Sequence, residues 1–368
     1  MSTYNEPADP EPVDRSLQTD ARAKPARPDS GTASGAFEVE LYRPERRAGF
    51  FELMHGVGRS HINDAEFEWW FDRNPVGRRL ISLGVDDGRV VGVAAMSFFR
   101  MLLDGEERAV AIPVHVATEA PYRRQGIFSE LELNNEREAA ADGSPITITF
   151  PNRASHRIFV GRLGWVDLPG RRVWARPLRA AGVARYLAGR PSPRGGLRPA
   201  SPDARADGRL RVEPLERFPP EVDEVWRAAA PGYGNHVVRD ARFLNWRYAD
   251  TPRTYRRFGA YRDGRLRAVA IVGHTVKQGV SSGFLADLVS EPDAHAERVA
   301  LLRRAAAEVD ADALIALPPR AERRSFLRAG FLPTNRKIRF VGKVLRPGER
   351  LDPDPGAWHF TLGDFDFF

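Results

Sequence analysis

The chain has 368 residues, 42% hydrophobic and 29% charged, an ordinary globular composition with length enough for two domains. It has no cysteine, which excludes disulfides, Cys-ligated zinc and any route through an enzyme thioester. The net charge of +7 and the pI of 9.9 are concentrated in residues 171–211, which hold eleven Arg against Asp203 and Asp207; a basic connector accounts for them, and no nucleic-acid partner is expected.

Residues 1–36 are rich in Pro, Asp, Ser and Ala with almost no large apolar side chains, which predicts a disordered tail. No apolar run approaches the about 18 residues that a membrane span needs, and no basic-then-apolar leader opens the chain, so no membrane span and a cytoplasmic location are expected. Around residue 67 the spacing of Phe67, Trp70 and Phe71 puts them on one helix face, the pattern of a core helix, and leaves Trp69 free to line a pocket. Residues 79–85 and 89–101 are apolar runs joined by Asp86-Asp87-Gly88, and Asp104-Gly105 turns the chain into a third run at 109–118. Residues 129–141 carry Leu131, Leu133, Ala139 and Ala140 among charges, a helix of about four turns stopped by Asp142-Gly143. A short strand at 146–150, a helix at 152–161 and a turn at Leu163-Gly164-Trp165 follow. Hairpins, helix, strand, helix and strand in that order predict an α/β fold with a mixed sheet.

Between the third strand and the first long helix stands Arg123-Arg124-Gln125-Gly126-Ile127-Phe128. A helix that starts just after a strand presents N–H groups without intrahelical partners, and its dipole adds positive charge there. Gly126 lets main chain approach a ligand closely, and Arg123 and Arg124 add permanent charge. The combination is an anion cradle suited to a phosphorylated cofactor. No Gly-x-x-x-x-Gly-Lys-Ser/Thr or Gly-x-Gly-x-x-Gly occurs, and the eight His lack metal-ligand spacing.

At these residues the chain resembles the GNAT superfamily of acyl-CoA-dependent N-acyltransferases, whose pyrophosphate loop reads Gln/Arg-x-x-Gly-x-Gly/Ala. Arg123 and Gly126 match, whereas Phe128 replaces the small final residue. Asn152-x-x-Ser155 and Leu163-Gly164-Trp165 are similar to the family's Asn-x-x-Ala and Leu-Gly-Phe. The resemblance covers residues 37–178 and implies the GNAT fold, with acetyl-CoA or another acyl-CoA as cofactor. It implies cofactor contacts at Val116, Thr118, Arg123, Arg124, Gln125, Gly126, Ile127, Phe128 and Asn152. His115 stands where the family often has an acidic general base, and a neutral imidazole with an ordinary pKa of about 6.5 can take a proton from an ammonium. The family's Tyr acid is replaced by Phe159 or Val160, which leaves His156, Tyr122 or water as proton source. Trp69 is the candidate for the acceptor pocket.

The second half repeats the first. Asp64-Ala65-Glu66-Phe67-Glu68-Trp69-Trp70 aligns with Asp240-Ala241-Arg242-Phe243-Leu244-Asn245-Trp246 at an offset of 176, and Asp87-Gly88-Arg89 meets Asp263-Gly264-Arg265 in the same register. Arg328-Ala329-Gly330-Phe331 echoes Arg162-Leu163-Gly164-Trp165. Two tandem GNAT-like domains are expected, at 37–178 and 210–368, joined by a basic linker at 179–209. Opposite the cradle the second copy reads Val289-Ser290-Glu291-Pro292-Asp293-Ala294-His295-Ala296-Glu297, whose carboxylates would repel a pyrophosphate. The expected activity is acetyl transfer from acetyl-CoA to a small-molecule amine acceptor. The alternatives are a non-catalytic acyl-CoA-binding or regulatory protein and an aminoacyl transferase of the tandem kind used in envelope building. In relatives a C-terminal carboxylate can enter the active site, which would give Phe368 a role; burial of the aromatic tail as a last strand is the other expectation.

Overall fold

The computed structural model describes residues 37–182, 195–198, 204–206, 209–277 and 280–365. The expected tail at 1–36, most of the linker at 179–209 and Phe368 lie outside the described residues. In chain order the first copy runs β1 (Glu38–Leu41), α1 (Arg47–Gly56), α2 (Asp64–Phe67), β2 (Arg79–Asp86), β3 (Arg89–Leu103), β4 (Glu106–Thr118), α3 (Ile127–Ala141), β5 (Ile146–Thr149), α4 (Arg153–Arg162) and β6 (Val166–Pro177). Asp87 and Gly88, with φ of 46° and 76°, and Asp104 and Gly105, at 51° and 87°, form the tight turns of its hairpins. Two successive left-handed residues give such a turn the twist of its flanking strands, and Asp and Gly tolerate that conformation.

The second copy follows the same plan after the short strands β7 (Gly196–Leu197) and β8 (Ala204–Ala206). Its elements are β9 (Leu210–Pro214), α5 (Val222–Ala229), β10 (His236–Val237), α6 (Ala241–Tyr248), β11 (Arg256–Arg262), β12 (Arg265–Lys277) and β13 (Val280–Ser290). Then come α7 (His295–Ala307), β14 (Val309–Asp310), β15 (Ala313–Ala316), α8 (Arg323–Arg328) and β16 (Leu332–Val344). Its hairpin turn repeats the device, with Asp263 at φ 49° and Gly264 at 82°.

The described strands of both copies, apart from the β7–β14 pair, join in one 14-stranded sheet, in the order β1-β2-β3-β4-β5-β16-β6-β15-β13-β12-β11-β9-β8, with β10 on β3. At its middle the copies exchange their last strands. β16 lies between β5 and β6, antiparallel to both, while β6 pairs with β15 of the second copy. Removing the second copy would strip β5 of its neighbour and leave a row of unpaired backbone groups. The boundary at 178/210 therefore divides the sequence repeat, while residues 37–368 make a single compact unit.

The main core crosses the same junction: Phe67, Trp69 and Trp70 of the first copy pack in one cluster with Phe243 and Trp246 of the second. The described part of the tail, residues 358–365, is buried as expected, yet with a 3-10 turn at Leu362–Asp364 and not as a strand. Two buried arginines hold it there. Arg239 donates to Asp364 and to Asp287, and Arg247 donates to the carbonyls of Gly363 and Phe365. Among the described residues no helix is long and apolar enough to cross a membrane.

Candidate functional site

β4 carries the site because its two edges are treated differently. On the β3 side the pairs Gly92↔Thr118 and Val93↔Ala117 are followed by Ala95↔Val114, so β4 holds an extra residue in a bulge, where His115 has a φ of 49°. On the other side β4 meets β5 in the single pair Ala111↔Thr147, after which the strands part. Main-chain groups along 113–118 are thereby left to face a ligand. In the second copy β13 and β15 stay zipped through three pairs.

The part of β4 that diverges leads into the cradle. Arg124 and Gly126 both adopt left-handed backbone, with φ of 68° and 88°, and α3 begins immediately after with Gly126 as its N-cap. No side chain caps that end, so its N–H groups and the helix dipole are available to an anion. Arg123 Nε donates to the Thr118 carbonyl at 3.2 Å and braces the turn. Gly92 lets the helix start settle on the sheet, since a Cβ there would stand 2.5 Å from Ile127 Cγ2.

A cavity of about 2080 Å³ opens in front of these elements. His115, Val116, Thr118, Arg123, Arg124, Gly126, Ile127, Phe128 and Asn152 all line it. Gln125 and Trp69 do not. The Gln125 amide folds back to donate to the Pro121 carbonyl at 3.0 Å. Trp69 is fully buried, and its indole donates to the Trp246 carbonyl at 2.7 Å, so it belongs to the junction between copies and cannot touch an acceptor. Asn152 caps α4 by accepting from Ala154 and Ser155 N–H, and its amide NH2 remains for the cavity. Phe128 meets Phe159 edge to face at 5.5 Å, which tucks the bulky ring against α4. Of the candidate proton donors, Tyr122 lines the cavity with its hydroxyl donating to Asp86 at 2.6 Å, whereas His156 lies outside it, bonded to Asp167 at 2.7 Å.

His115 is only 4% exposed and sits against the rings of Trp70 and Phe71. Burial first, then the positive charges of Arg253 and Arg59, holds its pKa well below the usual histidine value, so the imidazole is neutral at pH 7. The sequence had not pointed to Arg59, Arg253, Arg256, Lys337 or Arg339, which complete the walls. Lys337 and Arg339 arrive on the exchanged strand β16, which no reading confined to the first copy can foresee.

The second copy has closed the equivalent place with its own side chains. Arg298, in the first turn of α7, donates to Ser290 Oγ, the Glu291 and Pro292 carbonyls and Ser325 Oγ. Its guanidinium is thereby held against the loop that leads into α7. The described part of the C-terminal segment reaches the first site, where the Phe365 and Phe150 rings lie 4.2 Å apart and Phe150 lines the cavity.

Residues 39–166 match the family of acetyltransferase (GNAT) domains, and no curated protein sequence matches the chain significantly. Among solved structures, the chain is similar to a GCN5-related N-acetyltransferase from Anabaena variabilis, with TM-score 0.58 at 14% identity over 84% of this chain and 73% of that one. A probable N-acyltransferase from Enterococcus faecalis gives 0.59 at 10% identity, with the same coverage of 84% and 73%. The Saccharomyces cerevisiae N-myristoyltransferase with bound myristoyl-CoA gives 0.55 at 10% identity over 86% and 84%. The matched segment, residues 39–166, holds both the splayed strands and the uncapped helix start, and the chain has the GNAT fold.

Proposed function

We propose that the chain is an acyl-CoA-dependent N-acyltransferase that moves an acyl group, acetyl in the first instance, to a primary amine of a small molecule by direct attack. The observation that carries this reading is the uncapped start of α3 at Gly126, facing the gap between β4 and β5. The cofactor contributes a thioester carbonyl already activated toward nitrogen. The amides around Gly126, with Arg123 and Arg124, hold its diphosphate. Val116 and Thr118 on the open edge of β4, with the Asn152 amide, receive the pantetheine arm. The bulge turns His115 into the cavity wall, where its neutral imidazole takes a proton from the acceptor's ammonium and leaves the neutral amine to attack the thioester carbonyl. Solvent in the wide cavity returns a proton to the departing thiolate, since the Tyr122 proton is engaged by Asp86.

Arg298 supports a single cofactor site per chain, with the second copy building the floor and walls of the first. Phe159, a buried ring where the family often has a phenol, favours a second reading as a non-catalytic acyl-CoA-binding protein. Release of free thiol from acetyl-CoA, followed with a panel of primary amines, separates the two. Acceptor-dependent release is expected; acetyl-CoA binding without release by any amine would leave the second reading.

A further inference from the structure

The cavity wall contains nine Arg and Lys side chains and no Asp or Glu. Arg123, Arg124, Arg157 and Arg162 belong to the cradle and to α4, where a phosphorylated cofactor meets them. The others, Arg59, Arg253, Arg256, Lys337 and Arg339, come from the segment after α1, from the approach to β11 and from β16. Arg253 is neutralised by Glu66. Arg59, Arg256, Lys337 and Arg339 have no carboxylate partner among the described residues, and Arg256 Nε is buried without a hydrogen-bond partner. Arg59 and Arg253 lie close enough to His115 to lower its basicity. The cavity wall outside the cradle and α4 therefore carries positive charge beyond what Glu66 neutralises, with Arg59 nearest the proposed base.

We infer that the acceptor is an anionic amine, a small molecule that carries a carboxylate or phosphate beside its primary amino group, and that Arg59, Arg256 and the β16 pair Lys337 and Arg339 bind that anion. This rests on the acyl-transfer reading above. A guanidinium offers paired N–H donors matched to carboxylate or phosphate geometry, whereas a polycationic acceptor would meet uncompensated repulsion. The same field favours the uncharged form of the incoming amine, the form that can attack. A weak buried base suffices under those conditions, because the surroundings have already loosened the ammonium proton.

The test uses the full chain, saturated with acetyl-CoA, and acceptors in matched pairs: L-phenylalanine against L-phenylalaninamide, glucosamine 6-phosphate against glucosamine, and spermidine as polycation. The two pairs separate a carboxylate from a phosphate requirement. Thiol release is expected to show kcat/KM at least about tenfold higher for the anionic member of one pair, with the gap shrinking as salt is raised. Arg59→Ala and Arg339→Ala should narrow the gap through KM, Arg59→Lys should restore part of it, and acetyl-CoA affinity and melting temperature should stay put. If no pair is turned over, the same compounds are titrated calorimetrically into the chain saturated with coenzyme A, and the anionic members should bind more tightly. Equal or better use, or binding, of the neutral or polycationic members overturns the inference while leaving acyl transfer intact. Failure of acetyl-CoA itself to bind overturns the acyl-transfer reading, and the inference with it.

Discussion

Trp69 and Trp246 donate their indole N–H groups to each other's main-chain carbonyl, at 2.7 Å and 2.8 Å, with their rings stacked 5.6 Å apart. The pair is reciprocal although the residues are not equivalent in the repeat, where Trp70 is the partner of Trp246. Both indoles are buried, so each carbonyl depends on the other copy for its hydrogen bond. Trp69→Phe should cost about 1–3 kcal/mol by orphaning the Trp246 carbonyl, and Trp246→Ala about 3–5 kcal/mol through lost packing. Urea unfolding should show one cooperative transition in every case, because β16 and this pair bind the copies together. Two separable transitions would contradict that coupling.

Gly92→Ala addresses the seat of the cradle. The new Cβ would press on Ile127 Cγ2 at 2.5 Å and Leu131 Cδ1 at 3.3 Å, both deep in the packing between α3 and the sheet. Overpacking of this kind costs about 1–3 kcal/mol, and relief requires the start of α3 to lift. Weakened acetyl-CoA binding by calorimetry should accompany the lowered melting temperature; unchanged affinity would show that the helix start can move without disturbing the cradle.

Glu322 gives the fold a pH dependence of known sign. Burial, only partly offset by the charges of Arg298 and Arg171, raises its pKa from 4.5 to about 7. The unfolded chain therefore ionises this carboxyl first as pH rises. Its favourable contribution is complete below about pH 4.5 and is lost by about pH 7, a change of about 3 kcal/mol. Glu322→Gln should flatten the fall of melting temperature between pH 5 and 7 and stabilise the protein at pH 8, as differential scanning calorimetry can read.

His115 titrates outside the working range of an enzyme near neutrality, since burial and the neighbouring arginines hold its pKa well below 6.5. The rate profile in kcat/KM should show no protonation step of this residue between pH 6 and 8, and the rise there should follow deprotonation of the acceptor amine. His115→Ala should lower kcat/KM by about 10²–10⁴-fold while acetyl-CoA affinity changes little. An unchanged rate would remove His115 from the chemistry.

Local chemistry made much of this legible. The Asp-Gly turns and the Gly126 helix start each follow from a rule with a range of a few residues, the repeat shows as one constant offset of 176, and the structure has them at those positions. What escaped was non-local. Trp69 reads as the free member of its helix because its partner, Trp246, is 177 positions away. Lys337 and Arg339 reach the first cavity only through an exchange of strands that hydrophobic patterning does not encode. Phe128 departs from the small residue of the loop pattern, and only the structure shows Phe159 giving its ring a place against α4. Arg298 hides the closure of the second copy, since a single Arg in a helix has no sequence signature as a plug.

Isothermal titration of the full chain with acetyl-CoA tests the division of labour between the copies most directly. One equivalent per chain, abolished by Gly126→Val and untouched by Arg298→Lys, is expected. Two equivalents, or one that survives the loss of Gly126, would contradict it.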